Sequence, residues 1–554
     1  MTDHVVPVTT VQLPVDIGRF PLLDPLQLGH LRHIDNLSRQ PPNDWSLMSG
    51  RAVNQEDFGG YRFQLAYMAY ALGLTYFHRL PAAPGVFRPT FQRLMEKMLH
   101  PAVWMYWRNV SRGGAIFNAH LSDQLSEQWN PVERDNIMYS AYVQSMALMY
   151  DVLFDDHRYA EPGALTFRYW SFFWGGDEKR FAYDQYSLNQ HLYWKMVESG
   201  YLGIACEPNC IFQICNQPAI LGFRMHDILT GGSTAEEITR SYEQAWQQFG
   251  RLGENGHYTM MLSADTKIPW RNESVAPWID AWCGALMNCW NRDFVRQHYG
   301  HQMKDLLIEE PQGMRSVKVP ALREINGHLV DNDSCDFGWA AVWASEMGDT
   351  ATLEGLLRYA DHFMNPTWTN GGLYYPRNDQ RYDADGHLTV MEPLTGNALL
   401  AYARLNVVDG LWGLYNHPWD RIHFGQPALT EVAANVEVSR AWFDGDTRSL
   451  IFTVQRDGSR RGDAAIVIGN IGKRGWWTLF CDGRVVASGD EQRVSGDGSV
   501  MITPSDDMLQ LICPEGEART FVLSWDRAAR ERLRLWRIIS SRCLGGRRLV
   551  GRFT

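Results

Sequence analysis

The spacing of apolar residues divides the chain at about residue 425. From about residue 57 to residue 418, apolar side chains recur every three or four positions, the period of a helix that packs along one face. The segment 61–72 is apolar on nearly every side, so we expect a helix that is buried all round. The other predicted helices cover 88–108, 135–154, 164–177, 187–200, 209–230, 234–250, 277–297, 337–347, 350–364 and 395–415.

After residue 425 the pattern becomes one of short segments rich in β-branched and aromatic residues, such as 449–454, 476–480 and 520–524. Regular short strands separated by Asp-Gly turns are typical of an antiparallel sandwich. The predicted fold class is therefore mainly α: an (α/α)6 barrel, or toroid, followed by a small C-terminal antiparallel β-sandwich. A generic α-solenoid is the alternative for the helical part, although no repeat of fixed period is evident.

Four segments follow from these patterns. They are an irregular N-terminal segment over 1–55, a catalytic barrel domain over 56–420, a β-sandwich module over 425–526 and a basic tail over 527–554. The first segment contains one helical stretch near 26–37. The tail carries nine arginines and one glutamate, which predicts either a disordered arm or one amphipathic helix.

Charge and composition exclude several classes of function. The 554 residues carry a formal net charge of −11, and an acidic body argues against nucleic-acid binding. No apolar run approaches the length of a membrane span, and the N-terminal residues lack the pattern of a secretory signal. Together with an odd number of cysteines, nine in all, this predicts a cytoplasmic protein with reduced thiols.

Three of the nine cysteines, Cys206, Cys210 and Cys215, lie within ten residues and next to Glu207. Their C-x3-C-x4-C spacing matches neither structural zinc sites nor the usual iron–sulfur runs, so we expect no metal there. A disulfide is disfavoured in a reducing compartment.

A thiol nucleophile needs a base or an orienting amide, and Gln213 and Asn216 are available for that role. Cysteine is also often a small buried hydrophobe. The tendency of cysteine to be buried is enough to explain a single cysteine. It explains less well why two, Cys206 and Cys215, flank an apolar turn beside a carboxylate.

Ordered sequence blocks resemble the bacterial linalool dehydratase/isomerase family. The block Cys206-Glu207-Pro208-Asn209 with Cys215-Asn216 is similar to that family's C-E-P-[D/N] and C-N. Three more blocks, NPVERDNIMY at 130–139, PWIDAW at 277–282 and EMGD at 346–349, are similar to D-P-I-E-K-E-N-I-M-Y, P-W-I-S-A-Y and E-M-G-D. A weaker match lies at 33–38, and the similarity covers roughly residues 30–415.

The resemblance implies an (α/α)6 barrel that forms a homo-oligomer, with an apolar active site near subunit contacts. It also implies cofactor-free addition or loss of water at an allylic alcohol, with isomerisation, carried out by acid–base residues. The family's two cysteines correspond to Cys206 and Cys215, its aspartate to Asp35 and a pocket methionine to Met138. In that family the aspartate and a tyrosine come from a neighbouring subunit.

The chain departs from the family pattern at several acid–base positions. The family's histidine corresponds to Tyr142, and a tyrosine of the P-W-I-S-A-Y block becomes Trp282. The tyrosine that follows the aspartate has no clean counterpart, and Asp44 lies near its place. About half of the acid–base set is changed, so the identity of the substrate does not follow from the resemblance.

Ionising an allylic or benzylic alcohol requires an acid, a base and a dry apolar wall. The candidate proton donors are Cys215, Tyr142 and either Asp35 or Asp44, and the candidate acceptor is Cys206 with Glu207. Aromatic faces stabilise a passing cation. The candidate wall residues are Met138, Phe212, Trp278 and Trp282.

Several of these residues also have purely structural interpretations. Tyr142 and Met138 suit a packed core, Asp35 suits a helix cap, and Glu207 suits the turn before a proline.

The predicted function is a cofactor-free hydro-lyase or isomerase, a dehydratase with or without coupled cyclisation, acting on a hydrophobic terpenoid or polyketide–terpenoid alcohol. Water loss would give an alkene or a quinone-methide-like intermediate. One alternative is a carbohydrate-active lyase, epimerase or glycosidase that stacks sugars on Trp104, Trp107, Trp170 and Trp174. Another is a non-catalytic family member. A sugar cleft should be polar and open, whereas a terpenoid pocket should be closed and apolar around the cysteines.

Overall fold

The computed structural model describes residues 13–525, except 115–117, 172, 174–175, 321–322, 326–327, 331–335, 458–461, 463, 473, 491–492 and 506. The predicted basic tail therefore lies outside the described residues. The chain forms two compact units: a helical unit of residues 25–78 and 88–420, and a β unit that groups residues 1–24, 79–87 and 421–554. The N-terminal segment predicted over 1–55 is thus divided between the two units.

The chain is mainly helical. The α-helices are α1 (Pro25–Ser38), α2 (Tyr61–His78), α3 (Pro84–Met98), α4 (Pro101–Trp104), α5 (Trp107–Val110), α6 (Ile137–Phe154), α7 (Gln185–Glu198), α8 (Gln213–Thr230), α9 (Thr234–Phe249), α10 (Pro277–Met287), α11 (Arg292–Leu306), α12 (Asp336–Met347), α13 (Thr350–Phe363), α14 (Leu400–Leu405), α15 (Gly410–Asn416) and α16 (Arg421–Phe424). A π-helical turn, Thr395–Leu399, leads into α14.

The strands of the helical unit are short and form hairpins or a three-stranded sheet. They are β1 (Leu165–Tyr169), β2 (Lys179–Tyr183), β3 (Cys210–Phe212), β4 (Thr259–Ser263), β5 (Pro269–Arg271), β6 (Leu307–Glu309), β7 (Arg315–Val317), β8 (Arg323–Ile325), β9 (His328–Val330), β10 (Thr367–Thr369) and β11 (Gly372–Tyr374).

Six helices of the helical unit contact one another in cyclic order: α2, α6, α8, α10, α12, α14 and again α2. Every residue of α6 is buried, as are residues 62–76 of α2, because both helices are apolar on all sides. The buried all-round helix predicted over 61–72 is therefore present as α2.

A second set of helices packs against these six. Helix α7 contacts α6 and α8, while α9, α11 and α13 contact α8, α10 and α12 in turn. Helix α9 shows why: Ala235, Ile238, Tyr242 and Trp246 recur every three or four positions and are its buried residues. The amphipathic helices therefore cover the buried ones.

Five predicted helices differ from those observed. The segment 88–108 is divided among α3, α4 and α5, and 395–415 among the π-helical turn, α14 and α15. The segment 164–177 begins with strand β1, in which Leu165 and Phe167 are buried and alternate with more exposed residues, a period of two that the aromatic content had hidden. The helix predicted over 209–230 begins at Gln213, after β3. The one predicted over 277–297 is two helices, α10 and α11.

The β unit holds two antiparallel sheets. Their strands are β12 (Ala428–Val432), β13 (Val436–Asp444), β14 (Ser449–Arg456), β15 (Ala465–Gly469), β16 (Trp477–Cys481), β17 (Arg484–Gly489), β18 (Val494–Gly496), β19 (Ile502–Ser505), β20 (Met508–Ile512) and β21 (Arg519–Ser524). One sheet has the order β12-β15-β20-β19, and the other has the order β13-β14-β21-β16-β17-β18. Val15 packs on Ile451, Phe480 and Val522, so the N-terminal residues share the core of this unit.

Among the described helices, none combines the length and the apolar character that crossing a bilayer requires.

Candidate active site

The cysteine segment forms a closed turn. The backbone N–H of Cys206 donates to the carbonyl of Cys210 (2.8 Å), and the N–H of Cys210 donates to the carbonyl of Glu207 (2.9 Å). Asn209 completes the turn with a φ of 69°, in the left-handed region that asparagine tolerates. Strand β3 follows directly, so the turn fixes where the strand starts.

Helix α8 places Cys215 in its first turn, where the helix dipole favours a negative charge. The next residue, Asn216, accepts from the N–H of Ile204 (2.8 Å) and donates to the carbonyl of Ile204 (3.1 Å). Gln213 donates to the carbonyls of Arg251 and Thr259. Both amides predicted as orienting groups for a thiol therefore bond to backbone groups instead. Asn216 fixes α8 to the preceding loop, and Gln213 fixes it to the segment that follows α9.

The loop is also tied to the start of α6. The N–H of Asn136 donates to the carbonyl of Cys206 (3.0 Å), and the N–H of Ile137 donates to the carbonyl of Ala205 (3.3 Å). Asn136 has a φ of 74° and accepts a short hydrogen bond from the hydroxyl of Tyr106. Two segments far apart in the sequence therefore position the backbone of Cys206.

The two predicted thiols and Glu207 form one cluster. Cys206 Sγ donates toward Glu207 Oε1 at 3.5 Å and also hydrogen-bonds with Cys215. Burial raises the pKa of both thiols, and the bond between them raises the pKa of Cys206 further while lowering that of Cys215. Both groups are therefore protonated thiols at neutral pH, and Cys215 is the stronger acid of the pair.

Burial also raises the pKa of the Glu207 carboxyl group, and the nearby positive charge of Arg62 opposes that rise. Glu207 keeps part of its surface exposed, whereas the two thiols are buried. A carboxyl group with a raised pKa can take up or release a proton closer to neutral pH than an ordinary glutamate. The cluster thus contains two weak acids and one group suited to accept a proton.

Arg62 is the cation of this cluster, and the sequence analysis did not select it. It is buried at 2% exposure and lies over the rings of Phe63 (4.2 Å) and Tyr106 (4.0 Å). Its Nη1 donates to the carbonyl of Gln55 (2.5 Å), but its buried Nε has no partner. The signal available in the sequence is that Arg62 is the only charged residue of the mainly apolar segment 61–72.

Tyr142 is fully buried and hydrogen-bonds outside the thiol pair. Its hydroxyl lies 3.0 Å from the hydroxyl of Tyr67, which accepts from Trp282 Nε1 (2.6 Å), and it donates toward Met138 Sδ (3.6 Å). Burial raises the pKa of Tyr142, and the neighbouring Tyr67 raises it further. The predicted Tyr142, Met138 and Trp282 are therefore brought together, joined by the unpredicted Tyr67.

Aromatic rings continue from this group. Phe63 meets Tyr142 and Trp282 edge to face, with centroids 6.0 and 5.7 Å apart. Phe58 packs on Trp278 at 4.9 Å, and the buried Nε1 of Trp278 has no hydrogen-bond partner. The predicted wall residues Trp278 and Trp282 thus share one aromatic cluster.

Phe212, the fourth predicted wall residue, ends strand β3 and is half-buried.

Asp35 lies in α1 and is engaged by arginines. Its Oδ1 accepts from Arg93 Nη2 (2.7 Å) and from the hydroxyl of Thr90 (3.0 Å), and its Oδ2 accepts from Arg39 Nε (2.8 Å). These contacts join α1 to α3. The hydrogen bonds that Asp35 makes within one chain are therefore structural.

Asp44 is partly exposed and sits in a turn. Its Oδ1 accepts the N–H of Ser46 at 2.9 Å. Hydrogen bonds from Ser46 lower the pKa of Asp44, which opposes the predicted role as a proton donor.

The seven cysteines among the described residues are all free thiols. Cys335 lies outside the described residues.

The helical unit and this cluster define an acid–base site, built of thiols and a carboxyl group among aromatic rings. Residues 62–381, more than half of the chain, match the model of the linalool dehydratase/isomerase family. The chain therefore belongs to the linalool dehydratase/isomerase family, which confirms the family predicted from the sequence blocks. Membership supports dehydratase or isomerase activity at the level of the family.

Several solved structures are similar to the chain at low identity. The Lin0763 protein from Listeria innocua has 11% identity and a TM-score of 0.38, covering 68% of this chain and 96% of that one. An inactive variant of the α-1,6-mannanase GH76A of Salegentibacter sp. HEL1_6 has 11% identity and a TM-score of 0.37, covering 70% and 100%. Endoglucanase CelQ from Clostridium thermocellum has 9% identity and a TM-score of 0.33, covering 91% and 93%.

Proposed function

We propose that this chain is a cofactor-free dehydratase or isomerase that acts on a hydrophobic terpenoid or polyketide–terpenoid alcohol. The observation that carries the proposal is the hydrogen-bonded series Cys215, Cys206 and Glu207 beside the charge of Arg62. Such a series contains a proton donor, a relay and a proton acceptor in contact, which elimination of water requires.

In the proposed reaction, Cys215 gives its proton to the departing hydroxyl group, and the C–O bond breaks to leave an allylic or benzylic cation and water. Glu207 takes a proton from the neighbouring carbon, and the C–H electron pair forms the alkene. Cys206 then passes the proton from Glu207 to the Cys215 thiolate. The site returns to its starting state, and the products are an alkene and one water.

The aromatic cluster suits such a cation. Ring faces attract positive charge, and a buried site keeps water from trapping it. Phe212, Trp278 and Trp282 are the proposed wall residues. The unpartnered Nε1 of Trp278 and Nε of Arg62 are the proposed donors to a substrate oxygen.

The same proposal includes the finer architecture. The six helices in cyclic contact, with their amphipathic partners, correspond to an (α/α)6 barrel, and the two antiparallel sheets correspond to a β-sandwich. The family resemblance supports a homo-oligomer.

The stacking residues of the carbohydrate alternative gain little support. Trp104 and Trp107 are both 1% exposed, so neither offers a free face to a sugar. Trp170 is exposed, and Trp174 lies outside the described residues.

The test is mass spectrometry of products after reduced protein, as purified and without added cofactor, is incubated with allylic and benzylic alcohols, including linalool, geraniol and hydroxymethylphenols. The control variants are Cys206→Ala/Cys215→Ala and, as a match for removal of a buried thiol, Cys289→Ala. We expect a loss of one water that the double variant abolishes and Cys289→Ala retains. Turnover that is equal in the double variant would contradict the thiol mechanism. Absence of turnover throughout, with folded protein, would favour the non-catalytic alternative.

A further inference from the structure

A second group of titratable side chains lies away from the thiols, where α10 and α11 meet the turn before β4. His257 precedes β4, Asp280 lies in α10, and His301 and Asp305 lie one turn apart in α11. Within the described residues, the ligand atoms of His257, His301 and Asp305 all lie within 4.8 Å of one another.

His257 is held by a buried carboxylate. Its Nδ1 lies 2.6 Å from Asp280 Oδ2, and both side chains are buried. Asp280 is itself fixed, because its Oδ1 accepts the N–H of Tyr258 (2.7 Å) and its Oδ2 accepts from Asn272 Nδ2 (3.3 Å). The carboxylate can only accept, so the hydrogen sits on Nδ1, and a neutral imidazole then presents the lone pair of Nε2 on its other side.

That other side faces the two residues of α11. His257 Nε2 lies 3.4 Å from Asp305 Oδ2, and His301 Nε2 lies 3.8 Å from the same oxygen. Zinc bound tetrahedrally at 2.0–2.1 Å separates its ligand atoms by about 3.3 Å, so small side-chain movements would complete the site. His301 and Asp305 are partly exposed, which leaves an open side for a fourth ligand such as water.

The backbone makes room for this approach. Gly256 has a φ of 80°, and a Cβ there would lie 3.1 Å from two ring atoms of His301. A side chain at this position would therefore push the His301 ring away from His257. His301 Nε2 also lies 3.1 Å from the carbonyl of Asn255, a contact that metal binding through this nitrogen would replace.

We propose that His257, His301 and Asp305 bind one zinc ion and that Asp280 is the positioning carboxylate. Two imidazoles and a carboxylate are ligands that zinc prefers, and a carboxylate behind the histidine is the usual outer partner. This site lies outside the cysteine segment, where the sequence predicts no metal. It does not depend on the proposed dehydratase activity.

The bound zinc ion would have a structural role. His257 lies two residues before β4, and β4 pairs with β3 in the register Cys210 with Ser263 and Phe212 with Met261. A zinc ion that joins His257 to α11 therefore holds the strand against which the cysteine segment is aligned.

The test uses full-length protein purified without a histidine tag. Metal content is measured by mass spectrometry, and the stripped protein is titrated with Zn²⁺ against a chromophoric chelator and with Co²⁺ followed by visible absorption. The variants are Asp305→Asn and His301→Ala, both at partly exposed positions, and Asp280→Asn. The controls are Gln297→Ala on the same helix and His387→Ala in the separate Asp383, Asp385 and His387 group.

We expect one zinc per chain in the wild type and both controls. We expect at least tenfold weaker binding in His301→Ala and Asp305→Asn, and 10–100-fold weaker binding in Asp280→Asn. Absence of saturable binding in the wild type would overturn the proposal. So would equal affinity in His301→Ala and the wild type, whatever the state of the Asp280 variant.

Discussion

The thiol of Cys206 donates toward Oε1 of the next residue in the sequence, Glu207, at 3.5 Å. The turn closed between Cys206 and Cys210 makes this contact available. It links the only carboxyl group of the cysteine segment to the thiol pair, and it makes the protonation of Glu207 the first property to test.

Glu207→Gln should abolish the proton acceptor while keeping an oxygen for Cys206 to bond. Loss of a general base lowers kcat by about 10²–10⁴-fold. In the wild type, the raised pKa of Glu207 means that kcat should fall as the pH drops through a value above the ordinary 4.5, because the carboxylate is then protonated. The pH profile of kcat checks this, and an acid limb that survives in Glu207→Gln would assign it to another group.

Arg62→Gln should move the acid limb to higher pH. The positive charge of Arg62 lowers the pKa of Glu207 and of both thiols, so its loss lets burial act unopposed. On the acid limb, each unit by which the pKa of Glu207 rises should lower the rate by up to about tenfold. Arg88→Gln is the matched control, since Arg88 lies 5.7 Å over the ring of Phe154 in a different contact. If the acid limb of the pH profile lies at the same pH in Arg62→Gln and Arg88→Gln, Arg62 has no role in the mechanism.

The apolar pattern predicted the helical unit better than it predicted the site. Segment 61–72 indicated a buried helix because its residues are apolar in every direction, a signal that does not depend on the rest of the chain. The hairpin of β1 and β2 was missed because an aromatic-rich run of this length fits a strand or a helix equally well.

The site residues fall into two kinds. The sequence predicts Cys206 and Cys215 because they belong to a recognisable block, and Tyr142 because it stands where the family has a histidine. Arg62 and Tyr106 meet that block only through tertiary contacts, and their spacing in the sequence does not indicate those contacts. The same holds for His257 and Asp280, which meet only after α10 has packed.

Asn216→Ala should lower the stability of the folded chain rather than act directly on catalysis. The variant leaves the N–H and carbonyl of Ile204 without their partner, and each buried group left unpaired costs about 1–3 kcal/mol. A lower midpoint of thermal unfolding is expected, with Thr230→Ala at the exposed end of α8 as the control. Equal midpoints would mean that the loop keeps its shape without the amide.

Glu346 gives a pH dependence of stability that is independent of catalysis. This buried carboxyl group accepts from the N–H of Leu411 and from Asn406, and burial raises its pKa to about 7. The folded chain binds the proton more tightly than the unfolded chain, so this stabilisation is complete below pH 4.5 and is lost as the pH rises to 7. The change amounts to about 3 kcal/mol.

Glu346→Gln cannot ionise and should therefore gain stability relative to the wild type as the pH rises from 4.5 to 8. Denaturant unfolding at several pH values measures this difference. Glu354→Gln, at an exposed position of α13, should show none. A constant difference between Glu346→Gln and the wild type across this range would contradict a raised pKa.

The role of Asp35 can be decided by mixing subunits. The family resemblance implies that an aspartate serves a neighbouring subunit's site, yet here Arg39, Arg93 and Thr90 occupy the carboxylate. Both carboxylate oxygens therefore accept hydrogen bonds within the same chain, which favours a structural role. We expect Asp35→Asn to lower the midpoint of thermal unfolding, because it weakens the attachment of α1 to α3. Activity should fall only in parallel with the amount of folded protein.

Refolding a mixture of Asp35→Asn and Cys215→Ala chains provides the direct test. Activity in the mixture above the sum of the separate variants would show that Asp35 acts across a subunit contact, because only a mixed assembly could hold one intact site.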